Sequence, residues 1–515
     1  MVTALLGSLA GCSSIKPNPI DPAKMLEMGK KATVTAGTGV EPITQVLTLD
    51  EAIARALKYN LNQRAHLIEQ ALALNIWKAG NYDMLPRALA SAGYTHRDSD
   101  LITRSKDSVT GLPSLANPSI SSDRNATLYD LGFSWSVVDF TLGYYNAQQN
   151  ADRILIAAEQ RRKAMHVLTR DVTIAFWRMV SAQRLLGEVR STIADAESAV
   201  AESVKANQEG LRSPIENLRF QRQLLENIRL LANIEKDFAA ARATLANLIN
   251  APLSSDFTVS EPVDDATIRI LDTPVEQMEE LAILQNADLR EQAYNERIAV
   301  KEVRKTIAKL LPDLSFTYNL RHSTDNYLIN DSWQEAGVVL SQNLGNLLSA
   351  PARKRLADGG VELAKQRRIA AQMALLAQVH IARIDLASTY SQLQLSNRIW
   401  TIDQDIRGHI SSREAAQTES ELSKVSSATA AIVSMLRRYQ ALAEFHAAAG
   451  TLQATLGMEI DLASVGDQPL DQLTAAVSAW QKRWQAGELP SLPDVTATTA
   501  ETPMSAPSPT SVSAN

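Results

Sequence analysis

The residue types that most often perform chemistry are sparse or scattered in this chain of 515 residues. Its seven histidines stand far apart, and none forms the H-E-x-x-H pattern of a zinc enzyme. The sequence has neither a G-x-x-x-x-G-K-[ST] phosphate loop nor a G-x-S-x-G nucleophile elbow. Most carboxylates occupy polar positions of helical repeats, where a solvated face is the usual explanation. We therefore predict that the chain is not an enzyme, holds no metal or cofactor and does not itself hydrolyse ATP.

The only cysteine, Cys12, lies in the stretch "SLAGCSS". A single thiol makes no internal disulfide and supplies too few ligands for a zinc site. An apolar run from Val2 to Ala10 precedes it, and this arrangement resembles the lipobox of bacterial lipoproteins. The resemblance implies that Cys12 carries a lipid anchor and that Ser13, which follows it, directs the protein to the outer membrane. The alternative is an unmodified cysteine in a terminal segment without structure.

Composition and charge limit the class of protein. The formal net charge is −6, so no basic field suits nucleic acid, and we expect no nucleic-acid partner. Aromatic residues make up 5% of the chain, while alanine is abundant. This composition favours long helices over a sheet-rich globule.

The chain contains an internal repeat. Residues 60–94 align with residues 286–320 without a gap, so that Asn60 matches Asn286. A second pair of blocks, 159–175 and 365–382, aligns at a shorter offset, which places an insertion in the first copy. Periodic self-similarity of this kind indicates repeated structural units.

The repeat divides most of the chain into a first half at 47–257 and a second half at 276–460. Each half is predicted to contain a helix, two strands separated by a loop, a very long helix, a tip and a further helix. The halves end near Asn250 and Gly457, two residue types that tolerate the left-handed conformation at the end of a helix. The shorter helices are expected at 50–81, 214–249, 276–310 and 428–457.

The long helices show the repeat of a coiled coil. The first, at 143–209, has apolar residues at alternating spacings of three and four over five heptads, which predicts a packed seam; these residues are Met165, Leu168, Val172, Ala175, Met179, Ala182, Leu186, Val189, Ile193, Ala196 and Val200. The second, at 352–418, starts its seam at Leu375, Val379, Ala382 and Leu386. It then shifts to Leu395, Ile399, Ile402 and Ile406, which we interpret as a stutter. A helix of roughly 67 residues spans about 100 Å.

Four short segments show alternation between apolar and polar residues. It is clear at 129–140 and 313–321 and less clean at 86–97 and 335–344. Each has the length of a tilted strand that crosses a bilayer. Four strands do not close a barrel, because about eight is the minimum. Insertion into a membrane would therefore require oligomerisation, and a three-fold ring would supply twelve strands.

Taken together, these segments resemble the TolC-like outer-membrane efflux family over about residues 45–460. The matching stretches include "LTLDEAIARALKYNLNQRA", the "LP" before each first strand, "FSWSVVDFTLGYYNAQQNA" and "NQEGLRSPIENLRFQRQLLE". The resemblance implies a mainly α fold with a small β part, built from duplicated coiled-coil hairpins and four transmembrane strands per protomer. It further implies a homotrimer with one shared α/β barrel, which contacts outer-membrane lipid and works with a periplasmic adaptor protein and an inner-membrane transporter.

The function implied is a passive duct for efflux of small molecules across the periplasm and the outer membrane of a Gram-negative bacterium. The outer-membrane duct of type I protein secretion is an alternative within the same class. A lipid-anchored periplasmic coiled-coil tether is a second alternative, but it does not explain four alternating segments placed symmetrically in two halves.

The resemblance also assigns residues at the two helical tips. The adaptor-docking residues implied are Glu209, Gly210, Leu211, Arg212 and Ser213 at the first tip and Lys424, Val425 and Ser426 at the second. Glu216 and Glu421 are candidate gate charges. The family often has acidic residues just after the second turn, where this chain has Ala431 and Ser434, so an inherited cation-binding gate is not assigned.

The remaining segments lie outside the two halves. Residues 1–12 are interpreted as the lipoprotein signal, 13–46 as an extended segment and 488–515 as a disordered tail rich in proline, serine and threonine. Residues 258–275 and 461–487 are expected to form an equatorial belt, with Trp480 and Trp484 packed in it.

Overall fold

The computed structural model describes residues 18–113, 117–208, 213–253, 255–261, 268–416, 421–458 and 468–490. In this part of the chain the helices are α1 (Pro22–Gly37), α2 (Leu49–Tyr59), α3 (Leu61–Gly80), α4 (Val137–Gln208), α5 (Pro214–Leu248), α6 (Val275–Gln285), α7 (Ala287–Ala308), α8 (Leu344–Ala415), α9 (Glu421–Thr455) and α10 (Leu470–Gln485). The strands are β1 (Arg87–His96), β2 (Ile102–Thr103), β3 (Ser119–Ile120), β4 (Asn125–Ser136), β5 (Asp313–Ser323) and β6 (Ser332–Ser341). The fold is mainly α with a small β part, as predicted.

The first helical region is two helices, not the single helix expected at 50–81. α2 begins as predicted, because Thr48 Oγ1 accepts a hydrogen bond from Glu51 N at 3.2 Å. The helix then breaks at Asn60, whose side chain accepts from Asn62 N at 3.0 Å and so starts α3. An asparagine that caps a new helix interrupts an otherwise continuous apolar pattern.

The second half breaks in the same way. The helix expected at 276–310 is divided at Asn286, whose Oδ1 accepts from Leu289 N at 3.1 Å. Each capping asparagine also donates its Nδ2 to the last turn of a distant helix. Asn60 bonds Leu248 O at 2.9 Å, and Asn286 bonds Thr455 O at 3.1 Å. The two residues that the sequence aligns thus make equivalent long-range contacts.

Both halves end in the predicted left-handed turn. Asn250 has φ of 54° and Gly457 has φ of 70°. At position 457 a Cβ atom would lie 2.3 Å from the backbone carbon of Gln285, so only glycine fits without movement of the main chain.

The first long helix carries the predicted seam. α4 has 72 residues, which corresponds to roughly 110 Å. Seven of the eleven predicted seam residues are buried and the other four are half-buried. α4 also buries Phe176, Trp177 and Leu185, which the two-position seam did not include. The reason is that α4 packs against α3 and α5 of its own half and also against α7 and α9 of the other half.

The second long helix corrects the predicted stutter. α8 buries Leu375, Val379, Ala382 and Leu386 as expected, and the same seam continues to Leu393. The residues assigned to a shifted register instead form a second row on another side of the helix, with 42% to 58% of their surface exposed; they are Leu395, Ile399, Ile402 and Ile406. α8 also begins at Leu344 rather than 352, because the Asn343 side chain accepts a hydrogen bond from Gly345 N at 2.9 Å.

The four alternating segments form one antiparallel sheet in the order β1-β4-β5-β6. β4 ends at Ser136 rather than at residue 140, and residues 137–140 belong to α4. Ser136 Oγ accepts from Asp139 N at 3.0 Å and Asp313 Oδ1 accepts from Val138 N at 3.3 Å, so these side chains satisfy the first turn of α4. Strands β2 and β3 form a small hairpin within the loop between β1 and β4.

The equatorial segments contact the middle of the helices. Leu47 forms a parallel bridge with Val259, and Gln183 of α4 makes two hydrogen bonds to the Val259 backbone. α10 packs on α2, and it buries Trp480 and Trp484 in the main core.

The amino-terminal segment differs from the prediction. Residues 13–46 were expected to be extended, but this segment contains the helix α1, which is opened by Asp21 and Pro22. No residue of α1 is buried, so no apolar seam was present to reveal it. Residues 1–17 and 491–515 lie outside the described residues, and so do the predicted lipid site at Cys12 and most of the predicted disordered tail.

Candidate functional site

The four-stranded sheet keeps its charged residues on one face, although that face also carries the apolar residues Leu89 and Trp333. All five Asp, Glu, Lys and Arg residues of these strands lie on one face; they are Arg87, Asp130, Asp313, Arg321 and Glu335. The assignment follows from the register, because residues two apart in a strand share a face and directly paired residues do too. Ser134, Thr317 and Asn319 lie on this same polar face.

The opposite face is apolar and aromatic. Leu131 and Phe133 on β4 pair with Leu320 and Tyr318 on β5. The ring of Trp135 stacks on Phe316 at 5.8 Å near one end of the strands, and Tyr129 stacks on His322 at 6.0 Å towards the other end. An apolar band between two sets of aromatic rings is typical of strands that face lipid. These side chains are more exposed than most of those on the polar face, as on the convex side of a curved sheet.

Both edges of this sheet are open within the described residues. β1 pairs on one side with β4, and β6 pairs on one side with β5. Unpaired edges present backbone donors and acceptors to a further strand. A bilayer core offers no water to satisfy such groups, so a membrane-spanning sheet must close.

The exposed row on α8, from Leu395 to Ile406, is an uncovered apolar surface of the helical part. Within the described residues, α8 is the one helix that is long and apolar enough to span a membrane, judged by length and composition alone. Its length exceeds the ~30 Å hydrocarbon core more than threefold. We therefore interpret the row from Leu395 to Ile406 as a surface for contact with protein.

The predicted tip residues are only partly visible. Glu209, Gly210, Leu211 and Arg212 lie outside the described residues. Ser213 is exposed at the start of α5, followed by Pro214 in the first turn as expected. The candidate gate residue Glu216 is exposed in the same turn.

The second tip has a more buried character. α9 begins at Glu421, whose side chain lies outside the described part. Val425 is buried in a small cluster with Ala196, Ala199 and Leu224, so its side chain holds the two hairpins together. Lys424 and Ser426 beside it are half-buried. Because the cluster joins the last turns of α4 to the first turns of α9, both tips lie at the same end of the molecule.

The two positions that replace acidic residues face the packed interior of this protomer. Ala431 is fully buried, and Ser434 is buried with its hydroxyl donated to Ala431 O at 3.1 Å. Neither side chain carries a charge. These positions therefore lack the acidic groups that the family often has there, as the sequence indicated.

A buried polar cluster near the first tip was missed. Asn217 is almost fully buried, its Nδ2 donates to Ser203 O at 2.8 Å, and Gln221 donates to Ser203 Oγ at 3.2 Å. The signal was present in the spacing, because Asn217 stands seven residues before Leu224 and fourteen before Leu231 in the α5 seam. A polar residue at a seam position is a common way to fix the register of a coiled coil.

Two histidines of the equatorial region are held neutral. Both line a cavity of about 80 Å³ between α2, α4, α9 and α10. Burial lowers the pKa of His446 to about 4, and its ring stacks on Trp177 at 5.7 Å. Burial, assisted by the nearby charge of Arg162, lowers the pKa of His166 to about 4.

Solved structures share this fold. A membrane protein from Pseudomonas aeruginosa is 13% identical, covers 82% of this chain and 92% of its own, and has a TM-score of 0.62. The Campylobacter jejuni CmeC outer membrane channel is 12% identical, with coverages of 84% and 89% and a TM-score of 0.61. The open state of the Neisseria gonorrhoeae MtrE outer membrane channel is 15% identical, with coverages of 80% and 90% and a TM-score of 0.57.

No protein-family model and no curated sequence matches the chain. The fold, with its long hairpins and its sheet of two unlike faces, is therefore identified by structure. The chain has the fold of TolC-like outer-membrane channels, which confirms the resemblance found in its sequence at the level of fold.

Proposed function

We propose that this protein is the outer-membrane channel of a tripartite efflux system. One observation carries the proposal: a four-stranded sheet lies at the end of helices roughly 110 Å long, with all its charges on one face and with both edges open among the described residues. A sheet of this kind suits a barrel wall with lipid outside and water inside.

The open edges support assembly as a homotrimer. Three copies of a four-stranded sheet together contribute twelve strands, and β6 of one copy would pair with β1 of the next. This closure removes every free edge, as a bilayer requires. The exposed row on α8 would be covered by a neighbouring copy in the same assembly.

The two halves, 47–257 and 276–460, act in this proposal as duplicated units. The equivalent bonds of Asn60 and Asn286 and the equivalent left-handed turns at Asn250 and Gly457 support this assignment. Each unit provides two strands and one helical hairpin, and residues 258–275 and 461–487 form the belt around the middle.

The helical end would meet a periplasmic adaptor protein, itself bound to an inner-membrane transporter that supplies energy. Docking is assigned to the tips, with the exposed Ser213 and the half-buried Lys424 and Ser426 among the described residues. Glu209 to Arg212 complete the surface, and Glu216 and Glu421 are the gate charges. Val425 contributes packing beneath this surface. Cys12 would carry the lipid that anchors the protein to the outer membrane.

Transport through such a duct is passive. The periplasmic end, which is closed to cargo but passes small ions at rest, dilates when the adaptor docks, and small molecules then diffuse out through the barrel. The test is the ionic current through a planar lipid bilayer after addition of the purified full-length protein. Discrete conductance steps are expected. Protein that associates with the bilayer and gives no current would contradict the proposal and favour a lipid-anchored tether.

A further inference from the structure

Three charged residues form a row across the polar face of the sheet. Arg321 on β5 lies between Asp130 on β4 and Glu335 on β6. Its Nε is 3.1 Å from Asp130 Oδ2, and its Nη1 is 2.6 Å from Glu335 Oε2. Asp130 lies directly opposite Arg321, whereas Glu335 is a diagonal neighbour, because the register pairs Arg321 with Trp333 and Glu335 with Asn319. The row thus crosses three neighbouring strands obliquely.

The row does not neutralise itself. Two carboxylates share one guanidinium, which leaves a net charge of −1 in each copy. Asp130 Oδ1 has no hydrogen-bond partner among the described residues, and the Glu335 side chain is 54% exposed. Asp130 Oδ1 is buried, so of the two carboxylates only that of Glu335 is largely exposed to the water on the polar side.

The other charges on this face lie away from the row. Arg87 forms an ion pair with Asp139 at 3.1 Å. Asp313 is eight residues from Arg321 along β5, which corresponds to roughly 27 Å. This separation is more than three times the Debye length of about 8 Å at physiological ionic strength. The charges of the row are therefore screened from Asp313 and act on ions separately from it.

We propose that Asp130, Arg321 and Glu335 form a charge filter that makes the pore prefer cations. The proposal rests on the proposed function, because it places the polar face on the lumen of a trimeric barrel. Three rows then form a ring with a net charge of −3. Rings of charged side chains set ion selectivity in other pores by raising the local concentration of ions of opposite sign. The filter would disfavour anionic solutes in the outer part of the duct.

The test is the reversal potential of single channels in a planar bilayer under a KCl gradient. Glu335→Gln removes one negative charge per copy and keeps the side-chain shape. It should lower the potassium-to-chloride permeability ratio by about twofold at low salt. Arg321→Gln adds one net negative charge per copy and should raise the ratio by a similar factor. Glu335→Lys should bring the ratio below that of Glu335→Gln.

The ordered series is the expected result, from Arg321→Gln through the unchanged protein and Glu335→Gln to Glu335→Lys. Ser134→Asn, an uncharged change on the same face, is the matched control and should leave the ratio unchanged. If the variants form channels of normal conductance and their potassium-to-chloride permeability ratio does not change, the proposed filter is wrong and the proposed duct is unaffected. The absence of current from the unchanged protein would instead overturn the proposed function, and the filter with it.

Discussion

Asn60 and Asn286 each perform two tasks in one side chain. The Oδ1 atom caps a helix, and the Nδ2 atom bonds a carbonyl 188 or 169 residues further along the chain. Both residues are buried, so an alanine in their place would leave backbone groups without partners. These contacts tie the start of each half to its end.

We predict that Asn60→Ala and Asn286→Ala each lower the free energy of unfolding by about 2 kcal/mol, from the lost cap and the lost buried hydrogen bond. The measurement is thermal unfolding of the detergent-solubilised protein followed by circular dichroism. Asn62→Ala, an exposed change two residues away, is the control. If Asn60→Ala has the same melting temperature as this control, the contacts of Asn60 contribute little to stability.

The buried histidines predict a dependence of stability on pH. Their pKa of about 4 in the folded protein lies below the ordinary value of 6.5. Between these values the unfolded chain binds more protons than the folded chain. The stabilisation is therefore complete above about pH 6.5 and is lost as the pH falls towards 4.

We expect the apparent melting temperature to fall between neutral pH and about pH 4.5, and we expect His446→Phe to reduce this fall. Phenylalanine keeps a ring against Trp177 but cannot take up a proton. His409→Phe, at an exposed position of α8, is the matched control. An unchanged pH profile in His446→Phe would exclude His446 as a source of the dependence.

At the scale of elements, α8 has two apolar rows, and a single chain buries only the first of them. Leu375 to Leu393 pack on α9 and on neighbouring helices, whereas Leu395 to Ile406 remain in solvent. A helix with two apolar faces normally buries both. Contact with another copy, as proposed above, would cover the second row.

We predict that Ile402→Glu prevents trimer assembly, because it places a charge in an interface that excludes water. The readout is the mass of the detergent-solubilised particle measured by light scattering. Gln394→Glu introduces the same charge at an exposed position outside the row and should leave the particle intact. Ile402→Glu particles with the mass of the unchanged protein would refute the interpretation of this row.

The faces of the sheet allow a similar comparison. Leu131→Arg puts a charge on the apolar face, where the cost in a bilayer is about 2 to 4 kcal/mol near the midplane. Ser134→Arg puts the same charge on the polar face. We expect the first variant to be depleted from outer-membrane fractions and the second to be retained. Equal amounts of both variants would contradict the assignment of the faces.

The elements themselves were largely predictable from periodicity. The strands and the long helices have sequence patterns of several turns or alternations, and their positions agree within about four residues except at the starts of α4 and α8. These two helices begin six and eight residues earlier than predicted. The breaks at Asn60 and Asn286 were missed because an asparagine cap leaves the apolar pattern on either side intact. The row at Leu395 was misread because a sequence shows two apolar rows without showing which row another helix covers.

The candidate site was less predictable than the helices and strands. The alternation in 129–137 already separates Asp130 from Tyr129 and Leu131. The charged row was not visible, because Asp130 and Arg321 are 191 residues apart and only the strand register brings them together. The burial of Val425 was hidden for the same reason, since it depends on contacts with two helices of the other half.

At the scale of the whole molecule, the open sheet edges, the uncovered row on α8 and the one-sided charges have a common explanation. Each is unfavourable or unexplained in a single chain in water or in lipid. Each is satisfied when several copies surround a water-filled space. We therefore expect the functional state of the protein to be an assembly of several copies.

Electron microscopy of the full-length protein, extracted from membranes in detergent, distinguishes such an assembly from a single chain. We expect three-fold particles with a short barrel at one end and a rod of about 100 Å, in which β6 of each copy pairs with β1 of its neighbour. Single or paired rods whose sheets remain open at both edges would contradict it.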